Sequence, residues 1–117
     1  MNVLIVDDDS MVRNALARMF RVAFPEHHVV FAEDPVVGLR TIAGGFIPDI
    51  VFTDWEMPRG GGSWLITSLR LRGFEVPIVI VSAADPRDID STGANAVVPK
   101  PATPDVVQRL FDELVLK

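Results

Sequence analysis

"DIVFTDWEMP", residues 49–58, carries Ile50, Val51 and Phe52 straight into a carboxylate, Asp54. A run this short and this rich in β-branched and aromatic residues suits a strand buried on both faces, as in a parallel sheet. Three more runs have the same character: "NVLIVD" (2–7), "HVVFAE" (28–33) and "PIVIVS" (77–82). A weaker fifth is "NAVVPK" (95–100).

Helical patterns fill most of the gaps. Val12, Leu16, Met19 and Ala23 recur at helical spacing, with Asp9 or Ser10 able to cap the start. Asp34-Pro35 places a cap before a first-turn proline and leads into Val36, Leu39 and Ile42, with a stop at Gly44-Gly45. Ser63 is a candidate cap for a helix carrying Leu65, Ile66 and Leu69, ending near Gly73. Thr103-Pro104 repeats the cap-proline device. The exception is "DPRDIDST" (85–92), whose one large apolar residue, Ile89, gives little helical drive. Alternating strands and helices imply an α/β fold, a parallel sheet with helices on both faces. Residues 1–117 read as one domain.

Ligands in such folds collect outside the carboxyl ends of the strands. Strand one ends in Asp7, Asp8 and Asp9, strand three in Asp54, strand four in Ser82, and strand five runs into Lys100. Capping explains one aspartate, not three in succession. Clustered carboxylates raise one another's pKa unless a cation sits among them. Calcium-loop spacing is absent, so Mg²⁺ is preferred, with Mn²⁺ an alternative. Asp54 could be a turn-forming acid before Met57-Pro58, or a nucleophile that attacks phosphorus. The second role needs positive charge for phosphoryl oxygens, which a metal and Lys100 would supply, with a hydrogen bond from Ser82.

The composition narrows the classes. A net charge of −5 argues against direct nucleic-acid binding, and the lack of cysteine excludes disulfides and thiolate chemistry. No apolar run is long enough to span a bilayer and no signal peptide opens the chain, so a cytoplasmic location without membrane contact is expected.

In order and spacing, "LIVDDD", "DIVFTDWEMP", "IVIVSA" and "GANAVVPKP" resemble the receiver domain of two-component response regulators of the chemotaxis-regulator type. The resemblance implies a doubly wound (βα)5 flavodoxin-like sandwich with strand order 2-1-3-4-5. It implies Asp54 as phosphoacceptor, with Ser82 and Lys100 contacting the phosphoryl group. Mg²⁺ would be bound by Asp8, Asp54 and the Glu56 carbonyl, with Asp7 holding a metal-bound water. The Lys100–Pro101 bond would be cis. Asp9, one place past the usual acid pair, is better placed to cap helix one. Implied partners are a sensor histidine kinase or histidine phosphotransfer protein, and a downstream target or fused output domain. Such a domain is an enzyme only in catalysing its own phosphotransfer and dephosphorylation.

Two departures bear on output. Val97 stands where the family usually has Tyr or Phe, and 83–92 is about one helical turn short, so the fourth helix should be short or absent. They leave open a pseudo-receiver, a binding module with no phosphorylation-dependent output. A phosphohydrolase using Glu56 as acid-base is a further alternative, although nothing resembles a substrate cap. "RGGGS" (59–63) reads as a mobile lid beside Asp54 rather than merely a loop before Ser63. Trp55 and Trp64 read as partly buried packing, and His27 and His28 have no role at the site.

Overall fold

The computed structural model describes residues 1–116. Five parallel strands, β1 (Asn2–Val6), β2 (His28–Ala32), β3 (Ile50–Thr53), β4 (Ile78–Ser82) and β5 (Ala96–Pro99), lie in the order β2-β1-β3-β4-β5. Four helices connect or follow them: α1 (Ser10–Ala23), α2 (Pro35–Ala43), α3 (Gly61–Leu71) and α4 (Pro104–Leu114). This is the flavodoxin-like arrangement expected from the sequence. Among the described residues no helix is long and apolar enough to cross a membrane.

Strand alternation divides the core into two layers. Val3, Ile5, Ile50, Phe52, Val79 and Val81 face Phe20 of α1 and Val107, Leu110 and Phe111 of α4. Leu4, Val6, Val51, Ile78 and Ile80 face Leu39 and Ile42 of α2 and Leu65, Ile66 and Leu69 of α3. Burial on both faces accounts for apolar runs without polar alternation.

The caps follow the sequence at three helices. The Asp9 side chain accepts from Met11 N–H, Asp34 from Val37 N–H before Pro35, and Thr103 from Val106 N–H before Pro104. The start of α3 differs. Ser63 does not cap it; the helix opens at Gly61 from a left-handed Gly60 (φ +94°), with no side-chain cap. The lid reading of 59–63 is likewise corrected. Gly61 and Gly62 are buried, and a Cβ at either would strike the carbonyl oxygen of Trp55 or Asp54. Here glycine serves close backbone approach rather than mobility. Arg59 also adopts a positive φ (+62°), so the chain enters α3 through consecutive left-handed residues.

Where a fourth crossover helix would lie, the chain makes one 3₁₀ turn, Pro86–Asp88, capped by Asp85. Arg70, near the end of α3, bridges the shortened connection. Its guanidinium donates to the carbonyls of Gly93 (2.9 and 3.0 Å), Phe74 (2.8 Å) and Val76 (2.8 Å) and to Asn95 Oδ1 (3.2 Å). Asn95 Oδ1 also accepts from the Ile78 N–H, at 2.9 Å, so one residue ties α3 to the start of β4 and the approach to β5. Below Gly93 (φ +86°) the Ile66 side chain lies too close for a Cβ. Replacing the fork by an apolar chain of similar length leaves several carbonyls without a donor. Arg70→Met is expected to cost about 1–3 kcal/mol, read as a lower urea midpoint at unchanged m-value. Arg70→Lys should recover only part of it, because an ammonium cannot span these acceptors.

Candidate functional site

Because all five strands are parallel, their carboxyl ends share one edge. Register aligns Val6 with Thr53 and Thr53 with Ile80, so Asp7 and Asp54 stand level, while Ser82, paired with Pro99, lies one residue further along and Lys100 two. Asp7 follows β1, Asp54 follows β3, Ser82 ends β4 and Lys100 follows β5. Asp7 and Asp54 are both buried, and an ammonium joins them. Lys100 Nζ lies 3.0 Å from Asp7 Oδ2 and 3.2 Å from Asp54 Oδ2.

Backbone contacts hold each acid. Asp7 N–H donates to Ala32 C=O of β2 (3.1 Å), and Asp7 Oδ1 accepts from Asp9 N–H (2.9 Å). Asp54 N–H donates to Val6 C=O (2.9 Å), and Asp54 Oδ1 accepts from Trp55 N–H (2.8 Å). Lys100 N–H donates to Ser82 C=O (3.0 Å), extending the β4–β5 pairing to the lysine itself. The Lys100–Pro101 peptide is cis. The buried Ser82 hydroxyl accepts from Ala84 N–H (3.0 Å), leaving its proton for an oxygen in the crevice.

Asp8 is exposed, yet its carboxylate joins those of Asp7 and Asp54, with one oxygen from each within 4.8 Å of the others. An all-oxygen set this compact suits a hard divalent cation. Three carboxylates face one ammonium, so negative charge remains for such an ion to neutralise. The Glu56 side chain is exposed in the turn after Trp55, and Asp9 is committed to the α1 cap.

Two contributors, Thr53 and Arg13, were not singled out from the sequence, and a third, Gly62, was read only as part of a mobile stretch. Thr53, fully buried, donates its hydroxyl to Asp54 C=O (2.9 Å). Arg13 donates to Asp7 C=O (2.8 Å) from the first turn of α1. Gly62 brings α3 against the Asp54 carbonyl. The available signals were a polar residue ending an apolar strand and an arginine one helical turn past the acids. The histidines lie elsewhere: His27 stacks on Phe24 and meets Phe111 edge-on, and His28 meets Phe46. Trp55 is partly buried against the α2–α3 layer, while Trp64 stays more than a third exposed.

The response regulator receiver domain model matches residues 3–112. The chain belongs to the response regulator receiver family. Response regulator MprA of Mycobacterium sp. (strain KMS) is 36% identical over 104 residues, covering 85% of this chain and 44% of the relative. Regulator of RpoS of Escherichia coli (strain K12) is 35% identical over 83 residues, covering 71% of this chain and 24% of that protein. The receiver therefore spans less than half the length of these relatives. Among solved structures, response regulator TrrA of Thermotoga maritima, in complex with Mg²⁺-BeF, superposes with a TM-score of 0.83 at 23% identity, covering 97% of each chain. A Clostridium thermocellum receiver domain gives 0.86 at 19% identity, covering 98% of this chain and 94% of that one. These likenesses show the fold, that of the receivers of two-component systems.

Electrostatics in the receiver follow from burial. Burial pushes the Asp54 carboxyl pKa up; Lys100's charge and hydrogen bond pull against this, and nearby Asp7 adds to the rise. For Lys100 burial is the largest single influence and disfavours its charge. The Asp7 hydrogen bond and the fields of Asp54 and Asp7 together outweigh it, and its pKa rises. A raised carboxyl pKa means that folding opposes ionisation of Asp54, a cost absent below the ordinary carboxyl value and complete above the folded one. Without divalent ion, Asp54→Asn should therefore melt above wild type near pH 7, and the gap should close as the pH falls through the acid range. Lys100 has the opposite consequence. Its favourable contribution is complete below the ordinary lysine value and is lost as the pH rises through its elevated one. Thermal melts across pH check both directions.

Proposed function

We propose that this receiver takes a phosphoryl group onto Asp54 and changes its partner binding in response. The observation that carries this is Lys100 Nζ held between the buried carboxylates of Asp7 and Asp54. One oxygen of Asp54 attacks phosphorus while the bond from phosphorus to the donor breaks, the electron pair leaving with the donor nitrogen or oxygen. Lys100 faces the developing negative charge, and Ser82 donates its free proton to a phosphoryl oxygen. The Asp8 and Asp54 carboxylates and the Glu56 carbonyl are the proposed holders of Mg²⁺, with Asp7 holding a metal-bound water; Mn²⁺ is an alternative. When bound, the ion supplies positive charge to those same oxygens. The phosphodonor is a phosphohistidine on a sensor kinase or phosphotransfer protein. The recipient is a downstream protein or an output domain fused to this one, in the cytoplasm.

Incubation with acetyl phosphate and Mg²⁺ should add one phosphoryl group, seen by intact mass and labile to hydroxylamine. Asp54→Asn should stay unlabelled, and Lys100→Ala should load at least tenfold more slowly, by the loss of a charged contact. Mg²⁺ alone should raise the wild-type melting temperature by linkage and do so less in Asp8→Asn. A wild type that binds Mg²⁺ but takes phosphate from no donor would leave the pseudo-receiver reading.

That second reading rests on Val97 and on the missing helix. Val97 is half-buried with Ile89 and Ala94 and has no ring to rotate. If phosphate is accepted, the signal is proposed to pass through 83–92, whose hydrogen bonds are mostly local: Asp85 with Arg87, and Asp90 with Thr92. Hydrogen exchange with and without beryllofluoride should then show rising protection at 83–92 and little change at 61–71. Protection appearing mainly on α4 instead would refute this route.

A further inference from the structure

The peptide unit joining Asp54 to Trp55 is held at both edges. Its N–H donates to Asp54's own Oδ1 at 2.8 Å, and its C=O accepts from the Thr53 hydroxyl at 2.9 Å. The carbonyl also abuts the first turn of α3, where any Cβ at Gly62 would collide with it. A peptide is planar, with its N–H and C=O on opposite edges, so fixing one edge fixes the other. The hydroxyl and the glycine therefore set the direction of the Trp55 N–H. That N–H pins Oδ1, and Oδ2 is presented to Lys100 at 3.2 Å.

We propose that Thr53, aided by Gly62, is a positioning residue for the phosphoacceptor, acting through the Asp54–Trp55 peptide. A buried hydroxyl without a partner is costly, and Thr53 is 1% exposed. A threonine that merely satisfied itself on the nearest carbonyl would affect stability alone. One that aims the peptide also affects how Asp54 meets phosphorus, because small errors in the attack geometry slow the reaction. The inference rests on the proposed role of Asp54 and deepens it.

The test compares Thr53→Val, which keeps the shape and loses the hydroxyl, with Thr53→Ser, which keeps the hydroxyl. Two readouts separate positioning from folding. The first is amide exchange of Trp55 in the resting, metal-free protein, followed by nuclear magnetic resonance. The second is the single-turnover rate of loading from acetyl phosphate at saturating Mg²⁺. In that step a bond forms between an Asp54 oxygen and phosphorus, the acetyl oxygen–phosphorus bond breaks, and acetate leaves with the electron pair.

Thr53→Val is expected to exchange the Trp55 amide faster and to load more slowly, each by roughly tenfold, the weight of one hydrogen bond. Thr53→Ser is expected to restore most of both. Wild-type exchange and loading in Thr53→Val would overturn the inference. So would equal slowing in Thr53→Val and Thr53→Ser, since the hydroxyl would then not be the cause. If wild type itself never loads, the phosphoacceptor reading fails. Trp55 exchange still judges the orienting role in that case: a faster rate in Thr53→Val supports it and an unchanged one overturns it. Gly62→Ala must displace backbone and can unfold α3, so the Thr53 pair carries the test.

Discussion

An ammonium 3.0 Å from one buried carboxylate and 3.2 Å from another keeps its place only while three strand ends hold their register. Lys100 comes from an edge strand and the two acids from β1 and β3 at the middle of the sheet. The lysine crosses past the end of β4, and its own backbone is tied to Ser82 there. Removing the ammonium leaves two buried carboxylates uncompensated, a larger penalty than the net worth of the contact. The apolar strands, the parallel register and the hydrogen bonds on Asp7 and Asp54 all serve to keep this contact in place. The charge left over among the three carboxylates is what the proposed divalent ion would neutralise.

The opposite layer solves a different problem. Shortening the chain between β4 and β5 removes a helix from the face over Ile78 and Ile80, yet both stay fully buried. Ile89, Ala94 and Val97 cover part of this layer, and Arg70 draws the connection down onto α3. The guanidinium suits this task because its donors form a rigid fork that spans three carbonyls and one amide oxygen. Through Gly62 at one end and Arg70 at the other, α3 touches both the Asp54 carbonyl and the approach to β5.

Much of this was legible in the chain. Short β-branched runs identify buried parallel strands, and three of the four helix caps, Asp9, Asp34 and Thr103, follow from local rules that need no tertiary partner. Asp7, Asp8, Asp54, Ser82 and Lys100 stand out because polar residues ending apolar strands must meet at one sheet edge. The weak drive of 85–92 likewise foretells a short turn, since one large apolar residue cannot anchor a helix.

The tertiary structure decided what depends on approach between distant segments. Three consecutive glycines read as freedom in isolation, but Gly61 and Gly62 are there because α3 presses on the backbone of Asp54 and Trp55. Arg70 looks like a surface arginine until the folded chain gathers carbonyls of Phe74, Val76 and Gly93 around it. Thr53 looks like an ordinary strand residue until burial leaves its hydroxyl only backbone to bond. Local sequence determines which segments become strands and helices and which residues reach the sheet edge, because propensity and periodicity act over a few neighbours. Which side chains then become supports is settled by packing, where backbone spacing of a few tenths of an ångström decides what fits.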